Sequence, residues 1–235
     1  SSTVKIEYAE SGVTITNPLE GLGVTVTQEN GDVTVEATVS EVAYELSGKT
    51  TDGSFKIYSE KKLELILNGA NITNSDGPAI NIQTGKTIFV VMNEGTTNTL
   101  TDSETYEGIP DDEDAKAAFF SEGQLVFSGS GSLSVQGNYK HGICSDDYVR
   151  IREGTIIVTG AVKDGIHVND AFISDGGVID ITAPSDGIEC EEGYIVINSG
   201  EFYLNVGDDG IAASYETDNT IDPYLTINGG TFEIN

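Results

Sequence analysis

Tryptophan is absent from this 235-residue chain, methionine occurs once, cysteine twice and proline five times, and lysine and arginine together number 11 against 39 acidic residues. At a net charge of −28, nucleic acid and anionic membranes are poor partners, whereas cations and neutral ligands remain favourable. No apolar run approaches the roughly 20 residues of a spanning helix, so membrane insertion is not expected. The chain begins Ser1-Ser2-Thr3 without an export leader. This start reads as a mature or trimmed form of an extracellular or cell-surface protein whose export signal lies outside the chain. The two cysteines have no further ligand at zinc spacing, which excludes a thiolate metal centre.

What the chain has in quantity is glycine, 28 residues, and the glycines recur at a period. A Gly-x-apolar-x-apolar clause falls at Gly131, Gly154, Gly177, Gly200 and Gly230, the first four 23 residues apart. A fixed period with glycine at the turns and β-branched or aromatic residues between them is the signature of a β-solenoid. One first strand reads His141-Gly142-Ile143, then Asp164-Gly165-Ile166, Asp186-Gly187-Ile188 and Asp209-Gly210-Ile211. A second reads Val149-Arg150-Ile151, Ile195-Val196-Ile197 and Leu225-Thr226-Ile227, with Phe172-Ile173-Ser174 as the poorest copy. The third alternates Leu133/Val135, Ile156/Val158, Ile179/Ile181, Phe202/Leu204 and Phe232/Ile234. Three strands per coil predict an all-β parallel β-helix of triangular section, with residues one coil apart stacked at about 4.8 Å.

Earlier first strands are Ala118-Phe119-Phe120, Asp76-Gly77-Pro78-Ala79-Ile80 and Asp52-Gly53-Ser54-Phe55, which makes about seven coils over residues 46–235. Two corners carry insertions: an acidic one at 101–114 and a shorter one at 215–223 in the last coil. Residues 1–45 read as an N-terminal β cap, because Val24–Thr27 and Val33–Val35 flank Asn30-Gly31 as a hairpin. Capping covers apolar interior and unpaired strand edge at the solenoid's end. The other end is closed either by the last insertion or by something else. Cys144 and Cys190 lie two coils apart, one facing outward and one inward, and are predicted to stay unpaired.

Carboxylates stand in two columns at the corners. The first contains Asp164, Asp186, Asp208 and Asp209; the second runs Glu122, Asp146/Asp147, Asn169/Asp170 and Glu191/Glu192. Like charges about 4.8 Å apart repel by roughly 1 kcal/mol in water and more where water is restricted. Calcium, which takes six to eight oxygens, is the cation that would offset this. The plainer alternative is that Asp-Gly forms a good turn, with the glycine supplying positive φ. Cleavage of an acidic polysaccharide by β-elimination would need a base, for which Lys163 and Lys140 are the candidates; neutralisation of the neighbouring acids is their simpler role. His141 and His167 occupy different columns and form no recognisable triad. Among the tyrosines, Tyr203, between inward Phe202 and Leu204, and Tyr139 are the candidates for stacking on a sugar.

The stretches Tyr44-Glu-Leu-Ser-Gly48, Leu67-Asn-Gly-Ala-Asn-Ile-Thr-Asn-Ser-Asp-Gly-Pro-Ala-Ile80 and Asn98-Thr-Leu-Thr-Asp102, followed by the repeated Asp-Gly-Ile and Gly-Gly-Thr-Phe clauses, resemble a bacterial family of secreted carbohydrate-binding β-helix proteins. The resemblance covers residues 44–235. It implies a right-handed, pectate-lyase-like β-helix that binds cellulose and polygalacturonate, carries calcium and is not established as an enzyme. Asp164, Asp186 and Asp209 match the Asp of the repeated motif, and His141 replaces it in one coil. The expected function is therefore calcium-containing recognition of plant-type or acidic polysaccharide without cleavage. A calcium-dependent polysaccharide lyase and a surface adhesin or structural spacer are the alternatives.

Overall fold

The computed structural model describes residues 2–235, which form strands, turns and loops. None of the described residues belongs to a helix long and apolar enough to cross a membrane. Eight strands stack in parallel on the first face, beginning with Asp32–Ala37 and Ser54–Ser59 and ending with Ile188–Cys190 and Ile211–Ala213. Val33, Phe55, Ile80, Phe119, Ile143, Ile166, Ile188 and Ile211 are in register through it. The second ladder runs Tyr44, Leu65, Val90, Phe127, Ile151, Ser174, Ile197 and Ile227. The third runs Ile72, Leu100, Val135, Val158, Ile181, Leu204 and Ile234. Like stacks on like, so each coil continues three apolar columns, and each large side chain fully buried contributes roughly 1.5–3 kcal/mol. Ser174, in the poorest copy, is buried in its column, and its hydroxyl donates to the Ser199 carbonyl at 2.8 Å.

The second and third ladders merge into one sheet because Ala171–Ala183 and Tyr194–Val206 run round the corner without a break. The glycines of the Asp-Gly-Ile motif explain themselves differently from the turn argument. Gly142, Gly165, Gly187 and Gly210 do not have positive φ. A Cβ on Gly142 would lie 2.7 Å from Val158 Cγ1, one on Gly210 2.9 Å from Ile234 Cγ2, and one on Gly165 would collide with Ile181. Close approach of the third-strand side chains, not backbone conformation, selects glycine there. Among the repeated glycines, positive φ falls instead in the clause opening the third strand, as at Gly154 (φ 94) and Gly177 (φ 85).

The coil count is eight rather than about seven. The extra strand, Asp32–Ala37, is the second arm of the Asn30-Gly31 hairpin, and it pairs antiparallel with Val24–Glu29 on one side and parallel with Ser54–Ser59 on the other. Its coil opens with Asn-Gly instead of Asp-Gly, which hides it among hairpin signals. Asn30 (φ 51) and Gly31 (φ 99) both take the left-handed conformation that a two-residue hairpin turn requires. Ser2–Ala9 likewise joins Val42–Thr50 in parallel, so the ladders cross residue 45 unbroken.

At the far end, the inward residues of the last coil stay open: Leu225, Ile227 and Ile234 are 44%, 51% and 52% exposed. The 215–223 insertion does not fold over them. It is clamped sideways by Glu192, whose carboxylate accepts from the Thr217 hydroxyl at 2.6 Å and from the backbone amides of Glu216, Thr217 and Asp218.

The acidic insertion lies along the outside of the first face, with its acids used as internal ligands. Buried Asp102 accepts from the Asn138 amide at 2.5 Å and from the Tyr106 hydroxyl at 2.6 Å. Glu113 receives Lys56 and Tyr58 from the second coil, and Lys116 joins Asp114 (2.8 Å) to Asp146 (2.9 Å). Under this strap Ala117, Phe120 and Cys144 form a small apolar cluster of their own. Cys144 therefore points out of the prism yet is fully buried, while Cys190 sits in the main core, and both are free thiols.

Candidate functional site

The corner entering the first face concentrates the titratable groups. Each Asp of the motif offers a carboxylate oxygen to the backbone amide of the next: Asp164 Oδ1 accepts from Asp186 N at 3.2 Å, and Asp186 Oδ1 from Asp209 N at 2.9 Å. The chain of Asp side chains thus satisfies amides left unpaired at the turn, which is one reason the column tolerates its repulsion.

Asp164 sits at the centre of a mixed cluster. Its Oδ2 lies 3.2 Å from His141 Nδ1 and 3.3 Å from His167 Nδ1. His167 Nδ1 is also 3.2 Å from Glu189, and its Nε2 is 3.1 Å from Glu191. Lys163 Nζ stands 3.5 Å from both Asp164 and Glu189. The two imidazoles stack with centroids 4.2 Å apart. His141 and His167 do lie in different columns, His141 one coil before Asp164 and His167 in register with Cys144, yet both side chains reach the same carboxylate.

Burial opposes protonation of both histidines, with opposite results. His141 is held down at about 4, because burial, reinforced by the neighbouring His167 charge, outweighs its bond to Asp164. His167 is also disfavoured by burial, yet Asp164, Glu189 and Glu191 overcome that and raise it to about 9. Asp164, despite its own burial, is drawn far below the usual carboxylate range by the two imidazoles. At neutral pH, His167 and Lys163 supply positive charge to three carboxylates. The protein's own cations fill this part of the corner.

One coil on, no such cation is present. Asp186, Asp208 and Asp209 bring one carboxylate oxygen each within 4.8 Å of the others. Burial raises the Asp186 carboxyl, the Asp209 amide partly offsets this, and the acids around it raise it further. Three converging carboxylates with exposed outer faces make an all-oxygen donor set suited to a hard cation. The corner thus joins the predicted Asp164, Asp186, Asp208 and Asp209. It adds His141, one coil before Asp164 in the same column, and His167 and Glu189, a pair in register one coil apart whose turn toward Asp164 the repeat does not show.

The other predicted residues fall elsewhere. Asp146 is engaged by Lys116, and Asp147 accepts from Gln124 at 2.6 Å. Burial and the Asp147 charge raise the Asp170 carboxyl. These three stand at the corner between the first and second faces, away from the Asp-Gly-Ile column. Lys163 is tied into the His cluster, and the Lys140 carbonyl accepts the Val162 and Lys163 amides. Tyr203 is 39% exposed with its hydroxyl on Glu201, and Tyr139, 41% exposed, stacks on Tyr106 with centroids 4.0 Å apart. A second aromatic pair, Tyr194 and Tyr224, stacks at 5.0 Å on the second face, legible in sequence as equivalent positions of adjacent coils.

Residues 24–235 match a family described as carbohydrate-binding domain-containing proteins. A relative of that description from Acetivibrio thermocellus is 33% identical over 118 residues, which is 49% of this chain and 41% of the relative. The matched stretch thus spans less than half of either chain. A solved structure, a gadolinium derivative of a polysaccharide lyase-like protein from C. thermocellum, superposes with a TM-score of 0.80 at 26% identity, covering 98% of this chain and 100% of that one.

Proposed function

The chain belongs to the carbohydrate-binding domain-containing protein family, and from that premise we propose that it is an extracellular β-helix that binds acidic or plant-type polysaccharide without cleaving it. In this reading the coils wind right-handed, the antiparallel strands Gly12–Thr16 and Val24–Glu29 cap the N-terminal end, and calcium occupies the Asp186, Asp208 and Asp209 corner. The observation that carries the binding role is the state of Lys163. A β-elimination base must be free to take a sugar proton, whereas Lys163 sits between Asp164 and Glu189, whose charges raise it above its ordinary value despite partial burial.

One observation supports the cation: the Asp186 corner presents oxygen only, the donor type calcium takes. Calcium would, in addition, let a chain of net charge −28 approach an anionic glycan by bridging carboxylates on both sides.

The test is a pull-down on insoluble cellulose and on pectate, in calcium and in chelator, with ultraviolet detection of unsaturated sugar in the supernatant. Retention on pectate without product is expected. Unsaturated products that vanish in Lys163→Ala would make the protein a lyase instead. Retention on no glycan of a broad panel would leave the adhesin or spacer role.

A further inference from the structure

Of the eleven lysines and arginines, five form ion pairs among the described residues: Lys5, Lys56, Lys116, Arg150 and Lys163. That leaves six, and three of these, Lys61, Lys62 and Lys86, line a single groove. The groove, about 580 Å³, lies at the corner between the first and second faces in the first three coils. Val42, Ala43 and Leu63 are buried beneath it, and the ring of Phe89, in register with Glu64, is 37% exposed along its side. Glu41, Glu60 and Glu64 complete its charged lining.

Three features make this a site rather than a charged surface. In a chain with so few cations, each unpaired lysine stands against a negative field, and three of them share one concavity. An exposed phenyl ring beside the lysines offers an apolar face of the kind on which a pyranose packs. Glu41 holds the left-handed conformation (φ 63), which costs energy in a residue other than glycine and fixes the groove's rim.

We propose that this groove binds a uronate-type segment of an acidic polysaccharide. Lys61, Lys62 and Lys86 take the sugar carboxylates, Phe89 supports a pyranose face, and Glu41, Glu60 and Glu64 accept sugar hydroxyls. A simple inorganic anion would use the lysines but neither the ring nor the carboxylates. The glycan crosses the corner instead of following it, because further along the same corner stand Asp146, Asp147 and Asp170. The inference rests on the carbohydrate-binding reading, deepens it, and is independent of the calcium corner: binding here persists in chelator.

The experiment is titration calorimetry with tetragalacturonate in chelator at low ionic strength, on the parent, on Lys62→Glu/Lys86→Glu, on Phe89→Ala, and on a control, Lys49→Glu/Arg152→Glu. The two double variants change net charge equally, so they separate a local site from the general field. Affinity is expected to fall at least tenfold in the groove double and severalfold in Phe89→Ala, to stay within twofold in the control, and to weaken with added salt. Equal losses in the two doubles, or none in the groove variants, would overturn the site. Parent binding to a neutral glycan but not to tetragalacturonate would also overturn it while sparing the carbohydrate-binding reading. No glycan binding by the parent would remove both.

Discussion

His141 and His167 stack with ring centroids 4.2 Å apart on one shared carboxylate, Asp164, and only His167 is protonated at neutral pH. Their linkage to folding runs in opposite directions. His167, raised from 6.5 to about 9, contributes stability that is fully present below the unfolded value and is lost as pH rises through 9. His141, lowered from 6.5 to about 4, must remain neutral, so stability falls as pH drops from 6.5 towards 4. Thermal melts across pH should therefore peak between these windows. His167→Gln should flatten the alkaline limb, whose slope for one proton is at most about 1.4 kcal/mol per pH unit. An alkaline limb unchanged in that variant would mean that His167 is not the group that titrates.

Calcium at the Asp186 corner would stabilise the fold by mass action, since the unfolded chain cannot assemble its oxygens. Chelator should lower the melting temperature of the parent, and Asp186→Asn/Asp209→Asn should shrink that effect, because asparagine keeps the turn chemistry while removing ligand charge. If the acids are turn formers alone, the double variant melts at the same temperature or higher, by relief of repulsion, with and without chelator. Elemental analysis of the purified parent provides the independent check.

Gly165→Ala tests why the motif needs glycine. The added methyl meets Ile181 of the third ladder, and overpacking of this kind costs about 1–3 kcal/mol. The denaturation midpoint should fall accordingly. Pairing the change with Ile181→Ala should rescue part of the expected additive loss, because alanine lacks the Cγ2 methyl that the added Cβ meets. A backbone requirement for positive φ would show no such rescue.

Both thiols should titrate as free in the denatured protein without reductant. In the native protein neither should react at a useful rate. Cys144 is fully buried beneath the acidic strap and pushed well above its ordinary value, and Cys190, in the core, is raised by burial to about 12. Glu113→Ala, which frees the strap from Lys56 and Tyr58, should expose Cys144 to reagent before Cys190. Simultaneous reaction of the two would show that the strap does not open separately.

The repeat was legible because every coil buries the same kind of side chain at the same positions, so periodic apolar residues and glycines report one coil each. That regularity by itself determined the parallel solenoid, its three ladders and the Asp column at one corner. It did not count the first coil, where the hairpin Asn30-Gly31 replaces Asp-Gly, and it misread the reason for Gly165, since Ile181 is its neighbour only across the folded section. Only the tertiary structure brought His167 onto Asp164 beside His141, laid the acidic strap over Cys144 and gathered Lys61, Lys62 and Lys86 around Phe89. These contacts join different coils and corners through side-chain reach, and a one-dimensional period carries no information about which way a long side chain leans.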